Sequence, residues 1–361
     1  MENKMKKTIK RQSNLELLRI ITMLMIVAHH FSLHGYFSYS IEELTVNRLF
    51  IQWLLIGGKL GINIFILISG YFLIDSESVK VSKLLKLWGQ IFFYSVGIYL
   101  LACAMGKVDF STKELLKNVF HISFNKWEFA TFYFILYLIS PYISKALRSF
   151  SKKMYREMLI LLTVCWCIIP TVFDVSFGSN KLLWFIYLYS LAGYIRLYGA
   201  DFKLKSGKAI LLGTICLFLT FASACVLDIL GLKWAYFGKT ATYFYEMQML
   251  PIVVSAVLLF MGYKDLNLRY SSIINKIAMT VFGVYLIHDN EIIRYYIWIE
   301  VFKNASFAKS AFLIPYSIGV ILLVFVICSV IESIRIHTIE KLCFPLYNLI
   351  EEKMKKKFGN G

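Results

Sequence analysis

The stretch NLELLRIITMLMIVAHHFSLHG, from Asn14 to Gly35, is the first long apolar segment of the chain. It is long enough to cross a bilayer as a helix, because about 20 apolar residues rising about 1.5 Å each span a hydrocarbon core of about 30 Å. It nevertheless contains Arg19, His29 and His30. Ionisable side chains are costly in a bilayer and usually face a protein interior or a wet cavity. We therefore expect this helix to carry a functional site.

The spacing within this helix places Arg19 and His30 on one face. They are close to three helical turns apart, which separates them by roughly 16 Å along the axis. His29 points to another face, whereas Glu16 and His34 flank the same face one turn outside each end. This pattern suits a long substrate whose phosphates bind Arg19 and whose reactive carbonyl lies near His30. The alternative is that Arg19 reaches the lipid headgroups and the histidines are interfacial.

The composition is that of a polytopic membrane protein. Of 361 residues, 58% are hydrophobic, and no composition shift marks off a soluble domain. The formal charge of +17 comes from basic residues between apolar spans, so we expect membrane lipids as partners and no nucleic acid. The seven cysteines lie in or beside apolar spans without CxxC spacing, so no metal is expected.

The apolar spans predict an all-α fold with about ten transmembrane helices. Lys and Arg are concentrated in alternate connections, which predicts that both termini are cytoplasmic. The chain divides into a basic tail (1–13), a transmembrane domain (14–340) and a second basic tail (341–361). The outer connection 106–127 is expected to form an amphipathic helix on the outer surface. The predicted spans are 15–35, 54–74, 84–105, 128–147, 157–173, 182–198, 208–230, 240–262, 272–290 and 311–334.

Three further stretches carry candidate site residues. In GKLGINIFILISGYFLI, Ser69 and Gly70 lie near the inner end of the second span, where small residues allow helices to approach closely. In SVKVSKLLKLWGQIFFYS, Lys83 and Lys86 are either ordinary positive-inside lysines or a phosphate site for an anionic cofactor. His288 ends the apolar part of AMTVFGVYLIHDN near the outer face, either as an interfacial histidine or as part of a sugar-facing pocket.

With these residues in view, the chain resembles the membrane acyltransferase-3 family, particularly the group that O-acetylates bacterial surface polysaccharides. The resemblance covers nearly the whole chain. It rests on Arg19 and His30, which match the family's R-x10-H arrangement, and on three further stretches. These stretches are FILISGYF with Ser69, FYFILYLISPYI with Pro141, and GVYLIHD with His288.

The resemblance implies an O-acetyltransferase of the bacterial cytoplasmic membrane. Acetyl-CoA would be the cytoplasmic co-substrate, and the acceptor would be a hydroxyl of a capsular polysaccharide or exopolysaccharide, or of its lipid-linked precursor. The resemblance further implies that His30 is the essential histidine and that Arg19 binds the CoA part. Lys83 and Lys86 would be further CoA contacts, although the family commonly has Arg-x-x-Arg there. Lysine keeps the charge but loses the bidentate fork of arginine.

The acceptor pocket is assigned to His288 and Ser69. Acyl transfer to a hydroxyl needs a group that takes the hydroxyl proton and a donor that stabilises the oxyanion. A neutral imidazole suits the first task, so His30 would act as a general base or as a transient acyl carrier. The sequence leaves both roles open.

Two other classes of function remain open at this stage. In a transporter or flippase of lipid-linked sugars, Arg19 and His30 would line a pathway without covalent chemistry. Inverted repeats or matching broken spans would favour that function, and the sequence displays neither. A polysaccharide polymerase would also be polytopic and basic, but it is expected to carry a larger outer loop with clustered charges.

Overall fold

The helices account for most of the chain in the computed structural model, which describes residues 12–40, 42–175, 180–200 and 204–358. No β-strand occurs among these residues. The helices are α1 (Ser13–Leu33), α2 (Val46–Leu73), α3 (Val81–Ala104), α4 (Thr112–Val119), α5 (Glu128–Ser149), α6 (Lys152–Phe173), α7 (Lys181–Tyr198), α8 (Ser206–Gly231), α9 (Leu250–Lys264), α10 (Ser272–Ala278), α11 (Val281–His288), α12 (Glu291–Tyr295), α13 (Leu313–Arg335) and α14 (Lys341–Phe358).

The helices confirm the predicted polytopic all-α fold. In the described part of the chain, eight segments are long and apolar enough to cross a membrane, and α9 together with the short turns before it counts as one of them. The remaining two predicted spans correspond to α7 and to the pair α10 and α11, which together cover Ser272–His288. Each of the ten predicted spans therefore contains helix, although in the span 240–262 the long helix α9 begins only at Leu250. The predicted tail 1–13 lies almost wholly outside the described residues.

Glycines bring α1 and α2 into close antiparallel contact. A Cβ built on Gly57 would lie 2.4 Å from the carbonyl oxygen of Met25, and one on Gly58 would lie 2.4 Å from the His29 ring. One turn further along, a Cβ on Gly61 would lie 2.7 Å from Ile26. Without side chains at these positions the two backbones can approach closely, which is how small residues promote helix association in membranes. This contact positions the histidines of α1.

The ninth span is broken into two short helices. α10 ends at Ala278, and α11 begins at Val281 after a break in which the Thr280 hydroxyl donates a hydrogen bond to the Ile277 carbonyl oxygen at 2.8 Å. α11 ends at His288, whose side chain is fully buried. The break thus orients a helix of only eight residues toward the last turn of α1.

The connection 106–127 differs from its predicted surface location. Its helix α4 packs on α3 and runs back along it toward the N-terminal end of α3. The Ser111 backbone N–H donates to the Tyr99 hydroxyl at 2.7 Å, and further along the Ser95 hydroxyl donates to the Asn118 side-chain oxygen at 2.9 Å. The predicted helix exists, but it covers the side of a membrane-spanning helix instead of lying on the outer surface.

The segment after α4 continues this path. The ring of His121 lies 5.7 Å from that of Trp88 and 6.4 Å from that of Phe92, both on α3. The His121 side chain is 1% exposed among these aromatic rings. From Tyr99 to Trp88 the axis of α3 extends roughly 16 Å. The connection therefore re-enters to membrane depth before α5 begins.

The C-terminal segment 341–361 is largely helical. α13 continues through a π-helical turn, Ile336–Glu340, directly into α14, which packs on the first half of α3. The Ser82 backbone N–H donates to the Glu351 carboxylate at 3.0 Å. The domain boundary at 340 stays a prediction, but the residues that follow it are part of the packed structure.

Substitution of Gly57 by valine should destabilise the fold, because the new side chain would collide with the backbone of α1 at Met25. Overpacking of this kind typically costs about 1–3 kcal/mol. Gly97→Val is the matched control, since nothing lies within 4 Å of a Cβ at that position. Thermal unfolding of the purified protein in detergent should show a lower melting temperature for Gly57→Val than for Gly97→Val. Equal melting temperatures would contradict this packing.

Candidate active site

Two imidazoles on different helices form the centre of the site. His30 Nδ1 and His288 Nε2 are 2.8 Å apart, and His288 Nδ1 is 2.6 Å from the carbonyl oxygen of Val284. A carbonyl oxygen only accepts, so His288 must donate from Nδ1 and its Nε2 is then an acceptor. His30 must therefore donate from Nδ1, which leaves the lone pair on His30 Nε2. The partners of His288 thus fix the tautomer of His30 through a chain of hydrogen bonds.

The free nitrogen of His30 faces a carboxylate. Asp289 Oδ1 lies 3.7 Å from His30 Nε2, 3.8 Å from His34 Nε2 and 3.7 Å from a guanidinium nitrogen of Arg294. The ligand atoms of His30, His34 and Asp289 lie within 4.8 Å of one another, which is a spacing that one metal ion can bridge. The stretch GVYLIHD already contained Asp289, whereas Arg294 carries no signal in the sequence that links it to α1.

Arg19 and His30 lie on the same face of α1 but are separated by packed side chains. Arg19 Nη1 lies 3.4 Å from Glu16 Oε2, and the Arg19 side chain is 27% exposed. Between Arg19 and His30 on this face, Met23 and Ile26 are only 2% and 6% exposed. A long donor can therefore connect the two groups only if these apolar side chains move or if it passes beside them.

Ser69 lies apart from His288. Its hydroxyl donates to the Phe65 carbonyl oxygen at 2.8 Å and lies 3.4 Å from the Tyr133 hydroxyl. In the antiparallel pair of α1 and α2, Gly58 is level with His29, so Ser69 is level with the start of α1, roughly 16 Å closer to the cytoplasmic end. The structure does not bring together the two residues predicted to form the acceptor pocket.

A polar cavity of about 200 Å³ lies between α3, α4 and the start of α12, directly beyond the end of α11. Several of its lining residues belong to the re-entrant connection. The hydrogen bond from Lys117 and the charge of Lys126 lower the pKa of the Glu114 carboxyl, which is therefore ionised at neutral pH. Polar lining residues are Ser95, Tyr99, Glu114, Asn118, Lys126, Asn290 and Glu291.

A family model described as an acyltransferase domain matches residues 12–332 of the chain, which includes every helix from α1 to nearly the end of α13. The chain belongs to the membrane acyltransferase-3 family. No curated protein and no solved structure gives a significant match. The predicted membership is thus confirmed, and the protein is a multi-pass membrane acyltransferase.

In this acyltransferase the predicted CoA lysines lie on the first two turns of α3. Lys86 forms an ion pair with Glu340, and Arg335 Nη2 donates to the same Glu340 carboxylate at 2.7 Å. The Lys86 side chain nevertheless remains 45% exposed, so it can be reached from outside. The contact of Lys83 and Lys86 with CoA stays a prediction.

A buried polar network joins α3 to α13 near these lysines. Glu332 is 1% exposed and accepts hydrogen bonds from Gln90 at 2.9 Å and from the Tyr94 hydroxyl at 2.7 Å. Two nitrogens of Arg335 donate to the same carboxylate, each at 2.8 Å. In the sequence, this network is indicated only by three charged residues close to the end of an apolar span, Glu332, Arg335 and Glu340. Their partners on α3 were not recognisable from spacing.

The N-terminal end of α1 borders a second cavity of about 300 Å³. Asn14 there donates to the Lys264 carbonyl oxygen at 2.8 Å, which attaches the start of α1 to the end of α9. Tyr71 also lines the cavity. The guanidinium carbon of Arg196 lies over its ring, 4.9 Å from the ring centre. This cavity and Arg19 therefore lie toward the same end of the molecule.

Replacing Glu332 by glutamine should strongly destabilise the protein, because Arg335 would lose a charged partner in a buried environment. Removal of one member of a buried ion pair typically costs about 3–5 kcal/mol. Glu157→Gln is the control, since that carboxylate is largely exposed at 3.9 Å from Lys153. Thermal unfolding should show a clearly lower melting temperature for Glu332→Gln than for Glu157→Gln. A melting temperature for Glu332→Gln equal to that of the control would contradict the role of the network.

Proposed function

We propose that this acyltransferase moves the acetyl group of cytoplasmic acetyl-CoA to a hydroxyl of a cell-surface polysaccharide, such as a capsule or exopolysaccharide, or of its lipid-linked precursor. The location would be the bacterial cytoplasmic membrane. The observation that supports this proposal best is the tautomer of His30, because its Nε2 lone pair is left free by the contact with His288. Family membership supplies the general class of reaction.

His30 would act as a general base in this reaction. Its Nε2 takes the proton of the acceptor hydroxyl while the oxygen attacks the thioester carbonyl carbon. The carbon–sulfur bond then breaks, and the CoA thiolate takes the proton back from His30. The acetyl ester and free CoA are the products. His288 positions His30 by accepting a hydrogen bond from its Nδ1–H, so we assign it an orienting role and no direct contact with the acceptor.

Asp289 and Arg294 would stabilise the charges that develop during transfer. The carboxylate of Asp289 faces the nitrogen that becomes cationic when His30 takes a proton. Electrostatic stabilisation of this kind is effective in a site with little water, because charges interact more strongly at low dielectric. Arg294, 3.7 Å from Asp289, supplies a positive group near the place where the thioester oxyanion would form.

The donor would enter from the cytoplasmic side. Arg19 lies toward that end of α1, with the lysines of α3 and the cavity beside Asn14 at the same end. A guanidinium binds phosphate through two parallel hydrogen bonds, which suits the charged end of CoA. Since Met23 and Ile26 close the direct path along α1, the acetylated arm of CoA would have to displace apolar side chains to reach His30.

The loss of His30 should abolish transfer without abolishing donor binding. For His30→Ala we expect a reduction of about 10²–10⁴-fold in acetyl transfer, since this is the usual contribution of a general base. The measurement uses radiolabelled acetyl-CoA and the glycan fraction of the source cells, with binding of CoA measured separately by calorimetry. His337→Ala is the matched control, because that histidine is exposed and bonds only to the Ser333 carbonyl oxygen at 2.7 Å. Undiminished transfer by His30→Ala would remove it from the mechanism.

The role of Arg19 is tested by measuring the affinity of the protein for acetyl-CoA. Arg19→Gln should raise the dissociation constant of acetyl-CoA by about tenfold or more, because a charge-assisted hydrogen bond to phosphate contributes about 1.5–3 kcal/mol. Arg19→Lys should bind acetyl-CoA with an intermediate affinity, since lysine keeps the positive charge but cannot form the two parallel hydrogen bonds of a guanidinium group. Arg156→Gln on the exposed surface of α6 is the control. Equal affinities of Arg19→Gln and the control would exclude a contact between Arg19 and CoA.

A further inference from the structure

We propose that the polar cavity between α3, α4 and α12 is the acceptor site and that it binds an uncharged, hydroxyl-rich ring such as a neutral sugar residue. This inference rests on the proposed function for its place in the reaction, but the binding itself can be tested without any acyl transfer. The cavity holds about 200 Å³ and is formed largely by the re-entrant connection.

The cavity adjoins the proposed base. Asn290 and Glu291 line it, and both follow Asp289 directly in the chain. Asp289 in turn lies 3.7 Å from the lone-pair nitrogen of His30. Asn290 Oδ1 accepts from the Ile292 backbone N–H at 3.0 Å, so the start of α12 is fixed in relation to the cavity. A ring bound here would have its hydroxyls close to the reacting centre.

A buried indole supplies a hydrogen-bond donor that no protein group uses. Trp127 lines the cavity and is 4% exposed, yet its Nε1–H has no hydrogen-bond partner among the described residues. Buried polar groups nearly always have a partner, so this N–H is available to a molecule bound in the cavity. The side chain of Asn118 lies in the same wall and is held by Ser95 at 2.9 Å and by the Glu114 carbonyl oxygen at 2.8 Å.

The charges of the cavity are paired among themselves. Lys126 Nζ lies 3.4 Å from Glu114 and 3.4 Å from Glu291, and Lys117 forms a second ion pair with Glu114. Among the lining residues, the one cation is thus held by two carboxylates. An anionic ligand would lose its hydration and meet carboxylates without gaining a free positive partner, which is unfavourable. The cavity therefore fits a neutral ring better than a uronate or a phosphate.

At the polar mouth of the cavity we place Glu291, because its side chain is 59% exposed, whereas that of Lys126 is 17% exposed. The polar mouth and the buried indole N–H suit a sugar whose hydroxyls meet the indole, amide and carboxylate groups. Tyrosine and tryptophan combine an apolar ring with a polar tip, which makes them suitable for such amphipathic ligands. Tyr99 lines the same cavity.

The experiment measures binding of methyl glucoside and methyl glucuronide to the purified full-length protein by saturation-transfer NMR, in the absence of acetyl-CoA. Wild type should bind the glucoside and give little signal with the glucuronide. Trp127→Phe and Asn118→Ala should reduce the glucoside signal at least fivefold, and Glu291→Gln should increase the glucuronide signal because it releases one partner of Lys126. Lys113→Gln, an exposed position on α4 outside the cavity, is the matched control and should bind like wild type.

Failure of the pocket and failure of the proposed function give different results. Absence of glucoside binding by wild type, or equal binding by wild type and both Trp127→Phe and Asn118→Ala, would overturn the assignment of the cavity. Stronger binding of the glucuronide than of the glucoside would overturn the preference for a neutral ring. A protein that binds the glucoside in this cavity but transfers no acetyl group to the glycan fraction of the source cells would contradict the acetyltransferase function and leave the cavity as a sugar-binding site only.

Discussion

The contact between His30 and His288 is the interaction on which the proposed chemistry depends. An imidazole can carry its proton on either nitrogen, and a base needs the lone pair on the side of the substrate. Here the carbonyl oxygen of Val284 determines the tautomer of His288, and His288 determines that of His30. The His288 side chain is fully buried and the His30 side chain is 12% exposed, so little water reaches this pair of hydrogen bonds. The protein thereby presents the lone pair of His30 toward Asp289 without relying on solvent.

This contact requires close packing elsewhere. α1 must lie near enough to α2 for His29 Nδ1 to bond the Leu55 carbonyl oxygen at 2.7 Å, and the glycines of α2 provide the space for that approach. His29 therefore has a structural role next to the proposed base. His29 and His30 have different roles because neighbouring residues of a helix point in different directions.

Hydropathy was sufficient to predict the polytopic all-α fold, because the thickness of the bilayer determines how long an apolar helix must be. It was also sufficient to place Ser69 near the inner end of one span and His288 near the outer end of another. Residues at opposite ends of the spans are too far apart for one pocket, so the assignment of both to the acceptor pocket conflicts with the sequence itself. The location of α4 could not be predicted in this way. Its amphipathic pattern fits a membrane surface and the polar side of α3 equally well.

Pairing between helices was the other part that the sequence could not provide. The spacing of Arg19 and His30 follows from helical geometry, since both are on one helix. No periodicity relates His30 to His288, Lys86 to Glu340 or Lys126 to Glu291, because these contacts depend on how separate helices pack. For the same reason, the sequence predicts that Arg19 and His30 share one face of α1. It does not predict that apolar side chains close the path between them.

The small size of Gly283 has a consequence for the evolution of this chain. A Cβ at that position would lie 2.4 Å from the carboxyl carbon of Glu332, so α11 passes the polar network at the point where it has no side chain. His288 lies just over one turn further along the same short helix. Any mutation that enlarges residue 283 would therefore shift both the network and the imidazole pair. Natural variants should keep glycine at this position wherever they keep Glu332.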